Sequence, residues 1–161
     1  MNDKPIVFLD IDGVLNSRNF FYKSCAYERK DPRSQLDPAA ITFLNEIADW
    51  NFVLSSTWRK FYSVGEMTQM LQEVGFRGTI IDSTPIMDWQ GSLRGNEIRQ
   101  YLRNTKLEDR RDYIIFDDDS DMLLWQREHF IHIDGYYGLS PNHVYKAKLF
   151  INRNETHAAE I

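Results

Sequence analysis

The chain is organised around an apolar stretch near its N-terminus that ends in two closely spaced aspartates. Ile6 to Leu9 form a run of four apolar residues, as expected for a buried strand. Asp10 and Asp12 follow directly, and Gly13 then allows the chain to turn away. Carboxylates add nothing to a hydrophobic core, but ligands in open parallel α/β sheets collect beyond the carboxyl ends of the strands. We therefore expect a functional site at the end of this strand.

Size and composition narrow the class of protein. The chain has 161 residues, which fits one domain with a substantial core, and we expect a single domain over 1–161. A hydrophobic fraction of 42% with 27% charged residues is typical of soluble globular proteins. The net charge of −5 argues against nucleic-acid binding by the surface as a whole, although it leaves room for a local basic patch.

Cysteine content and hydropathy indicate the compartment. The single cysteine, Cys25, excludes an intramolecular disulfide and fits a reducing environment. No apolar run has the length of a membrane span, and the first residues lack the apolar region of a signal peptide. We therefore expect a cytoplasmic protein with no membrane contact.

Apolar runs of strand length alternate with helical patterns along the chain. The expected strands are 6–9, 52–54, 79–81, 113–116 and 130–133. The expected helices are 38–50 with Asp37 as N-cap, 64–74, one beginning at Arg94, a short one over 122–127, and a last one capped by Ser140. Regular alternation of this kind is typical of a parallel sheet with helices on both faces.

Residues 17–36 form an insertion between the first expected strand and the helix expected at 38–50. Its apolar residues follow neither a helical nor a strand period. It carries five basic residues against two acidic ones, and four aromatic residues lie among them: Phe20, Phe21, Tyr22 and Tyr27. An irregular segment of this length inside a compact domain is often functional. Two interpretations stay open, namely a lid that is merely solvated and a lid that contacts the substrate.

Four of the five expected strands end in polar or acidic residues. These are Asp10 and Asp12, Ser55 and Ser56, Asp82 and Ser83, and Asp117 and Asp118. If the first and fourth strands are neighbours, Asp10, Asp12 and Asp117 converge, and such carboxylates repel one another unless a cation lies among them. Mg²⁺ prefers oxygen ligands and also coordinates phosphate, so it is the natural occupant.

Such a cluster has the parts needed to hydrolyse a phosphoester. A carboxylate can attack phosphorus and form an aspartyl-phosphate, and a second carboxyl group two residues later can act as general acid and base. A hydroxyl and a cation would then hold the phosphoryl oxygens, and Ser55 and Arg94 lie where an element meets a loop.

The same residues resemble a known family. Asp10-Ile11-Asp12-Gly13-Val14-Leu15 matches the DxDG(T/V)(L/V) signature of the haloacid dehalogenase (HAD) superfamily of phosphatases and phosphotransferases. Residues 52–55 resemble its second motif, Arg94 at a helix start its third, and 114–118 its acidic fourth. The sequences at 55–59, 94–98, 117–122 and 138–140 are similar to those of the HAD branch found in Swiss Army Knife-type RNA repair proteins. They are distantly similar to the phosphatase domains of polynucleotide kinase/phosphatases.

The resemblance implies a fold and a set of residue roles. The fold is a three-layer, Rossmann-like α/β structure with a five-stranded parallel sheet in the order 5-4-1-2-3 and no large cap domain. Asp10 would be the nucleophile, and Asp12 the general acid/base, with a metal contact through its backbone carbonyl. The phosphate would be bound by Ser55 and Arg94, with Ser56 and Arg59 as further candidates. Mg²⁺ would be bound by Asp10, Asp12 and Asp117, with Asp118 as a further candidate.

Neighbouring residues leave alternatives open. Asp117 fits the strand-end metal position best, Asp118 could share it, Asp121 could support it from behind, and Asp119 could cap the short helix. Trp58 and Trp89 are expected to pack in the core or at the rim of the site.

The expected function is Mg²⁺-dependent hydrolysis of phosphate monoesters, first of all terminal 3′-phosphates of nucleic acid or nucleotides. A basic, aromatic insertion beside an open site suits single-stranded ends. One alternative is a phosphatase of small molecules or mononucleotides. Another is a receiver-like module with Asp82 as phosphate acceptor, although Ile133-Asp134 stands where such a module has lysine. A catalytically silent phosphate-binding module is a further alternative.

Overall fold

Five parallel strands form one sheet in the computed structural model, which describes residues 4–87 and 92–158. The strands are β1 (Ile6–Leu9), β2 (Asn51–Leu54), β3 (Ile80–Ser83), β4 (Tyr113–Asp117) and β5 (Phe130–His132). The α-helices are α1 (Arg18–Lys23), α2 (Pro38–Leu44), α3 (Val64–Glu73), α4 (Arg94–Asn104) and α5 (Pro141–Ala158). The strand order β3-β2-β1-β4-β5 confirms the predicted α/β sheet, since it is the expected order counted from the other edge.

The central strand β1 brings the predicted site residues together. Leu9 pairs with Leu54 of β2 and with Phe116 of β4. The following residues stay in register, because the Asp10 amide donates to the Phe116 carbonyl at 3.0 Å and the Ser55 amide to the Leu9 carbonyl at 2.8 Å. Asp10, Ser55 and Asp117 therefore emerge side by side at one edge of the sheet.

The two faces of the sheet have separate cores. One face packs β1, β2 and β4 against α2, α3 and α5, and the other packs Ile6, Phe8 and Ile115 against Ile98 and Leu102 of α4. Strand side chains alternate between faces, so Asp10 and Asp117 continue the rows that point toward α4. This register directs both carboxylates toward the helix that begins at Arg94.

Several predicted element bounds are wrong in detail. α2 is capped by Asp37 as expected but ends at Leu44, and a separate 3₁₀ turn covers Asn45–Ile47. The Asn45 side chain there binds the Gly75 carbonyl and the Arg77 amide, so it ties the helix end to the next loop. The expected helix over 122–127 is a 3₁₀ turn at Leu124–Gln126, too late in the chain for Asp119 to cap it. Asp82 and Ser83 lie within β3, and Trp89 falls outside the described residues.

The insertion 17–36 is folded and tied to the rest of the molecule. Ser17 caps α1, and 3₁₀ turns follow at Ala26–Glu28 and Pro32–Gln35. The Arg18 amide donates to the Gly135 carbonyl at 3.0 Å, and Arg33 pairs with Glu73 of α3 at 2.6 Å. These contacts connect the insertion to the loop after β5 and to the end of α3. Among the described residues, no helix combines the length and apolar composition that a membrane span requires.

Candidate active site

Three carboxylates cluster at the carboxyl edge of β1 and β4. Asp10 is 5% exposed, Asp117 is fully buried and Asp118 is half-buried. One oxygen of each lies within 4.8 Å of the others. Asp10 Oδ1 and Asp117 Oδ2 are buried and accept no hydrogen bond from residues 4–87 or 92–158. Buried carboxylate oxygens that lack donors are suited to a hard cation, so these residues fit the Mg²⁺ ion that the sequence predicts.

The pKa values of the cluster have the same cause. Burial raises the pKa of Asp10 to about 7, although the nearby Arg94 charge and a hydrogen bond from Ser56 act in the opposite direction. Burial also raises the pKa of Asp117 to about 8, and the charge of Asp10 adds to this effect. The pKa of Asp118 is raised as well, first by burial and then by Asp119. Near neutral pH the protein alone therefore disfavours the ionised forms of Asp10 and Asp117, and a bound cation would favour them.

The loop that follows β4 fixes the start of α4. Asp121 accepts the Arg94 backbone N–H at 2.8 Å, and its own carbonyl accepts the N–H of Gly95. A Cβ atom at Gly95 would lie 2.6 Å from the Leu123 nitrogen and from the Gln126 side chain. Glycine is therefore needed at this close approach, and Asp121 supports Arg94 rather than the carboxylate cluster.

The Arg94 side chain reaches three acidic groups. Its Nε lies 3.3 Å from Asp117 and its Nη2 lies 3.9 Å from Asp10. Its Nη1 lies 3.4 Å from Glu97, one turn along α4. Arg94 is thus held close to the predicted nucleophile, where a phosphoryl group would need a positive charge.

Sequence reasoning missed Glu97, a buried acid that links two arginines. Its carboxylate lies 2.7 Å from Arg59 and also contacts Arg94. Arg59 is itself buried and donates to the carbonyl oxygens of Ser56 and Thr84. The sequence predicts Arg59 as a phosphate ligand, and in the structure its guanidinium pairs with Glu97 and binds carbonyl oxygens of the loop after β2. The spacing of Arg94 and Glu97 by three helical positions was the available signal.

The two serines after β2 differ in their hydrogen bonding. Ser55 is 1% exposed and directly follows β2, beside β1. Among the described residues, its hydroxyl has no hydrogen-bond partner. Ser56 accepts a hydrogen bond from the Trp58 backbone N–H at 3.4 Å and begins a 3₁₀ turn over Thr57–Lys60. The Ser55 hydroxyl is therefore available to a ligand, whereas Ser56 shapes the loop and hydrogen-bonds Asp10.

Asp12 is held by two donors that the sequence did not identify. The Trp58 indole Nε1–H donates to Asp12 Oδ1 at 3.0 Å, and the Asn16 side chain donates to the same oxygen at 2.7 Å. Asn16 also accepts the Gly13 backbone N–H at 2.9 Å. Trp58 is buried, as expected for core or rim packing, and its indole N–H also fixes the Asp12 carboxylate. Both donors bind Oδ1, so neither of them occupies Oδ2.

Glycines make room for Asp118. Gly13 has a φ of +74°, and a Cβ atom there would lie 2.3 Å from Asp118 Oδ2. A Cβ atom at Gly135 would lie 2.5 Å from the same oxygen. The predicted turn at Gly13 therefore has two requirements, namely a left-handed backbone and space for a carboxylate.

Two grooves meet at Asp12 and involve the insertion. The first, about 470 Å³, is called the insertion groove here and is lined by Arg18, Phe21, Tyr22 and Asp118. The second, about 380 Å³, is called the aromatic groove and is lined by Pro32, Trp58, Phe61 and Tyr62. Tyr22 is 69% exposed and Phe61 is 76% exposed. Each groove thus places an accessible aromatic ring within reach of a ligand held at Asp12.

Asp82, the alternative phosphate acceptor, is not in the carboxylate cluster found among the described residues. It is exposed on the edge strand β3, where its carboxylate accepts the Ser83 backbone N–H at 2.8 Å. This position gives the receiver-like alternative no support.

Comparison with known families agrees with these motifs. Residues 6–144 match the family model described as the HAD domain in Swiss Army Knife RNA repair proteins. No significant match was found among curated proteins or solved structures. The family model covers most of the chain, so the chain belongs to this HAD family, as predicted. This membership supports a HAD-superfamily hydrolase.

Proposed function

We propose that this HAD-family protein is a single-domain, Mg²⁺-dependent phosphomonoester hydrolase that uses Asp10 as its nucleophile. The observation that carries the proposal is the buried cluster of Asp10, Asp117 and Asp118 with Arg94 beside it. The cluster places buried carboxylate oxygens that accept no hydrogen bond from the described residues beside a cationic side chain at one point of the sheet edge. Transfer of a phosphoryl group is assisted by a bound metal ion and by a cationic side chain, which both stabilise its negative charge.

The metal would be held by the carboxylates of Asp10, Asp117 and Asp118, together with the Asp12 backbone carbonyl that the family resemblance implies. Mg²⁺ bound there would offset the carboxylate repulsion and attract the phosphate oxygens.

In the first half of the reaction, a carboxylate oxygen of Asp10 attacks phosphorus and the bond to the leaving oxygen breaks. Asp12 donates its proton to that oxygen, so the product leaves as an alcohol. Ser55 and Arg94 hold the phosphoryl oxygens while charge moves across them. Trp58 keeps the Asp12 carboxyl group oriented through Oδ1.

In the second half, water attacks phosphorus and the bond to Asp10 breaks. Asp12, now ionised, takes the proton from that water and returns to its starting state. Inorganic phosphate is released and the Asp10 carboxylate is regenerated. Each residue thus returns to its original form after one turnover.

For the substrate, we propose a terminal phosphate on a nucleic-acid strand, with the 3′-phosphate as first choice. Support comes from the aromatic rings beside Asp12 and from the family, whose description refers to RNA repair proteins. Exposed aromatic side chains stack on unpaired bases irrespective of sequence. A mononucleotide is the second candidate, since either groove has room for one base.

The first experiment tests the mechanism. Asp10→Asn should abolish hydrolysis of p-nitrophenyl phosphate with Mg²⁺, because an amide is a poor nucleophile. Asp119→Asn is the matched control, since Asp119 is exposed and lies in the same acidic run. It should keep most of the activity. Full activity of Asp10→Asn would disprove the mechanism, and inactivity of the unaltered protein toward every phosphomonoester would favour a silent binding module.

The second experiment tests the substrate. Tyr22→Ala and Phe61→Ala should each lower kcat/KM for 3′-phosphorylated oligonucleotides by about tenfold, the effect of one lost base–aromatic contact. Neither change should affect p-nitrophenyl phosphate. Tyr145→Ala, on the exposed face of α5, is the matched aromatic control. Equal losses on both substrates, or a preference for nucleoside monophosphates over oligonucleotides, would reject the strand-end proposal.

A further inference from the structure

A third groove, of about 410 Å³ and lined by basic residues, lies between α4 and the start of β4. Its lining includes Trp125, Glu108 and four arginines, namely Arg99, Arg103, Arg110 and Arg111. It also includes Tyr113, which is four residues before Asp117 on β4 and therefore roughly 13 Å from it along the strand. We call this surface the arginine groove, and it is distinct from the grooves at Asp12.

The arginine groove is strongly positive in an acidic protein. Four arginines against Glu108 in the lining and Asp112, which pairs with Arg110, leave a charge of about +2, whereas the whole chain carries −5. Such a local excess attracts anionic ligands even when the rest of the surface repels them. The sequence allowed for a local basic patch, and this groove is such a patch.

The arginines differ in how far they are committed to other groups. Arg110 is fixed by two contacts with Asp112, at 2.6 and 2.8 Å, and forms a rigid wall. Arg103 lies 3.7 Å from Glu108, but both side chains are 56% exposed, so this pair contributes little and can open. Arg111 is exposed at the edge of the groove. Arg103 and Arg111 are therefore accessible to an anion.

Trp125 adds an aromatic surface to this charge. Its side chain is 59% exposed, although burial of an indole is normally favourable. The Arg99 guanidinium lies 5.7 Å from the ring centroid, in the geometry of a cation–π contact. The ring is thus held on one side while much of its surface stays open to a planar ligand.

We propose that the arginine groove binds single-stranded nucleic acid, with Trp125 stacking on a base and Arg103 and Arg111 contacting phosphates. Accessible cations together with one exposed ring are the combination that single-strand binding proteins use. Bases in a duplex are already stacked and paired, so an exposed indole reaches only an unpaired base. An acidic peptide would use the charge but not the ring. The groove needs no terminal phosphate, and this inference does not depend on the proposed catalysis.

The test measures binding of a fluorescent 12-nucleotide oligouridylate with hydroxyl groups at both ends, in EDTA, by fluorescence anisotropy. Trp125→Ala should weaken binding about fivefold or more. The double variant Arg103→Ala/Arg111→Ala should lower the slope of log K against log salt by about 1.4, as expected for two phosphate contacts on a single strand. Hydrolysis of p-nitrophenyl phosphate should stay unchanged in both.

Matched controls are Tyr145→Ala for the aromatic change and Arg77→Ala for the charge change, since both residues are exposed and lie outside the groove. Thermal unfolding of each variant separates a loss of binding from a loss of folding. With Trp125→Phe, which keeps a stacking ring, most of the affinity should remain.

Three results would overturn the inference. The first is unchanged affinity and salt slope in the groove variants. The second is loss of binding only when Tyr22 and Phe61 are replaced, because the strand would then bind at the grooves beside Asp12 alone. The third is competition by polyglutamate as strong as that by unlabelled oligouridylate, which would indicate a general anion site. The absence of phosphatase activity would leave the binding result unaffected.

Discussion

Replacing Asp117 by asparagine tests the electrostatic account of the site without any assay of activity. Asp117 is fully buried, and its Oδ2 accepts no hydrogen bond. Its Oδ1 accepts the Asp119 backbone N–H at 2.9 Å, which the amide oxygen of asparagine can also do. Asp117→Asn therefore keeps the shape and this hydrogen bond. It removes a buried charge next to Asp10 and the ion pair with Arg94, which keeps its contacts with Asp10 and Glu97.

The size of the effect follows from the pKa values. Burial raises the pKa of Asp10 from its ordinary value of 3.8 to about 7. Between those pH values the folded state holds a proton that the unfolded state has released, so stability falls as pH rises through this range. At about 1.4 kcal/mol for each pH unit, the loss for Asp10 alone is about 4 kcal/mol. The raised pKa of Asp117 acts in the same direction and extends the range to about pH 8.

We therefore expect Asp117→Asn to stabilise the metal-free protein above pH 8. A gain of about 2 kcal/mol, half of the loss worked out for Asp10, would raise Tm by roughly 4–8 °C for a chain of this size. At pH 5 the gain should be smaller, because pH 5 lies near the lower end of the range from 3.8 to about 8 over which stability falls with pH. Burial lowers the pKa of His129, which makes stability rise with pH. The difference between variant and unaltered protein cancels this contribution.

Thermal unfolding at pH 5 and pH 8.5 measures the stability of the metal-free protein in EDTA and the stabilisation by added Mg²⁺. Mg²⁺ at 100 times its Kd should stabilise the unaltered protein by about 2.7 kcal/mol at the higher pH, and Asp117→Asn should lose most of this gain. Asp119→Asn is the matched control and should behave like the unaltered protein. If Asp117→Asn is less stable in EDTA at pH 8.5, or gains as much from Mg²⁺, the carboxylate cluster is not the metal site that we describe.

Three further changes test other contacts. Trp58→Phe keeps the packing but removes the donor to Asp12. In steady-state kinetics kcat should fall about tenfold or more with little change in KM, because hydrogen bonds to charged groups contribute roughly 1.5–3 kcal/mol. An unchanged kcat would contradict this prediction. Gly13→Ala should lower stability by about 1–3 kcal/mol and weaken Mg²⁺ binding in calorimetry, because of its positive φ and the nearby Asp118 carboxylate. Arg33→Ala removes a half-exposed ion pair and should change the free energy of unfolding by less than about 1 kcal/mol in urea denaturation; a larger loss would show that the pair anchors the insertion.

The fold and the carboxylate cluster were predictable because they follow from strand register. Apolar runs fixed the strands, and parallel strands in register bring Asp10, Ser55 and Asp117 to one edge. Side-chain contacts between distant segments were not predictable in this way. Trp58 lies 46 residues from Asp12, and no periodicity links an indole to that carboxylate. The short turns at 45–47 and 124–126 depend on tertiary contacts of Asn45 and Gln126, which local propensity does not contain.

The buried charges explain why Glu97 and Arg59 belong to the site although neither faces the substrate. Asp10, Asp117, Asp118 and Glu97 are acidic and lie in one connected network with Arg59 and Arg94. When all are ionised, the network carries two more negative than positive charges, which matches one divalent cation. Removing Glu97 would leave the buried Arg59 guanidinium without its acidic partner, at a cost of about 3–5 kcal/mol. Glu97 thus serves the site by holding Arg94 and Arg59 while the carboxylates remain available for a metal.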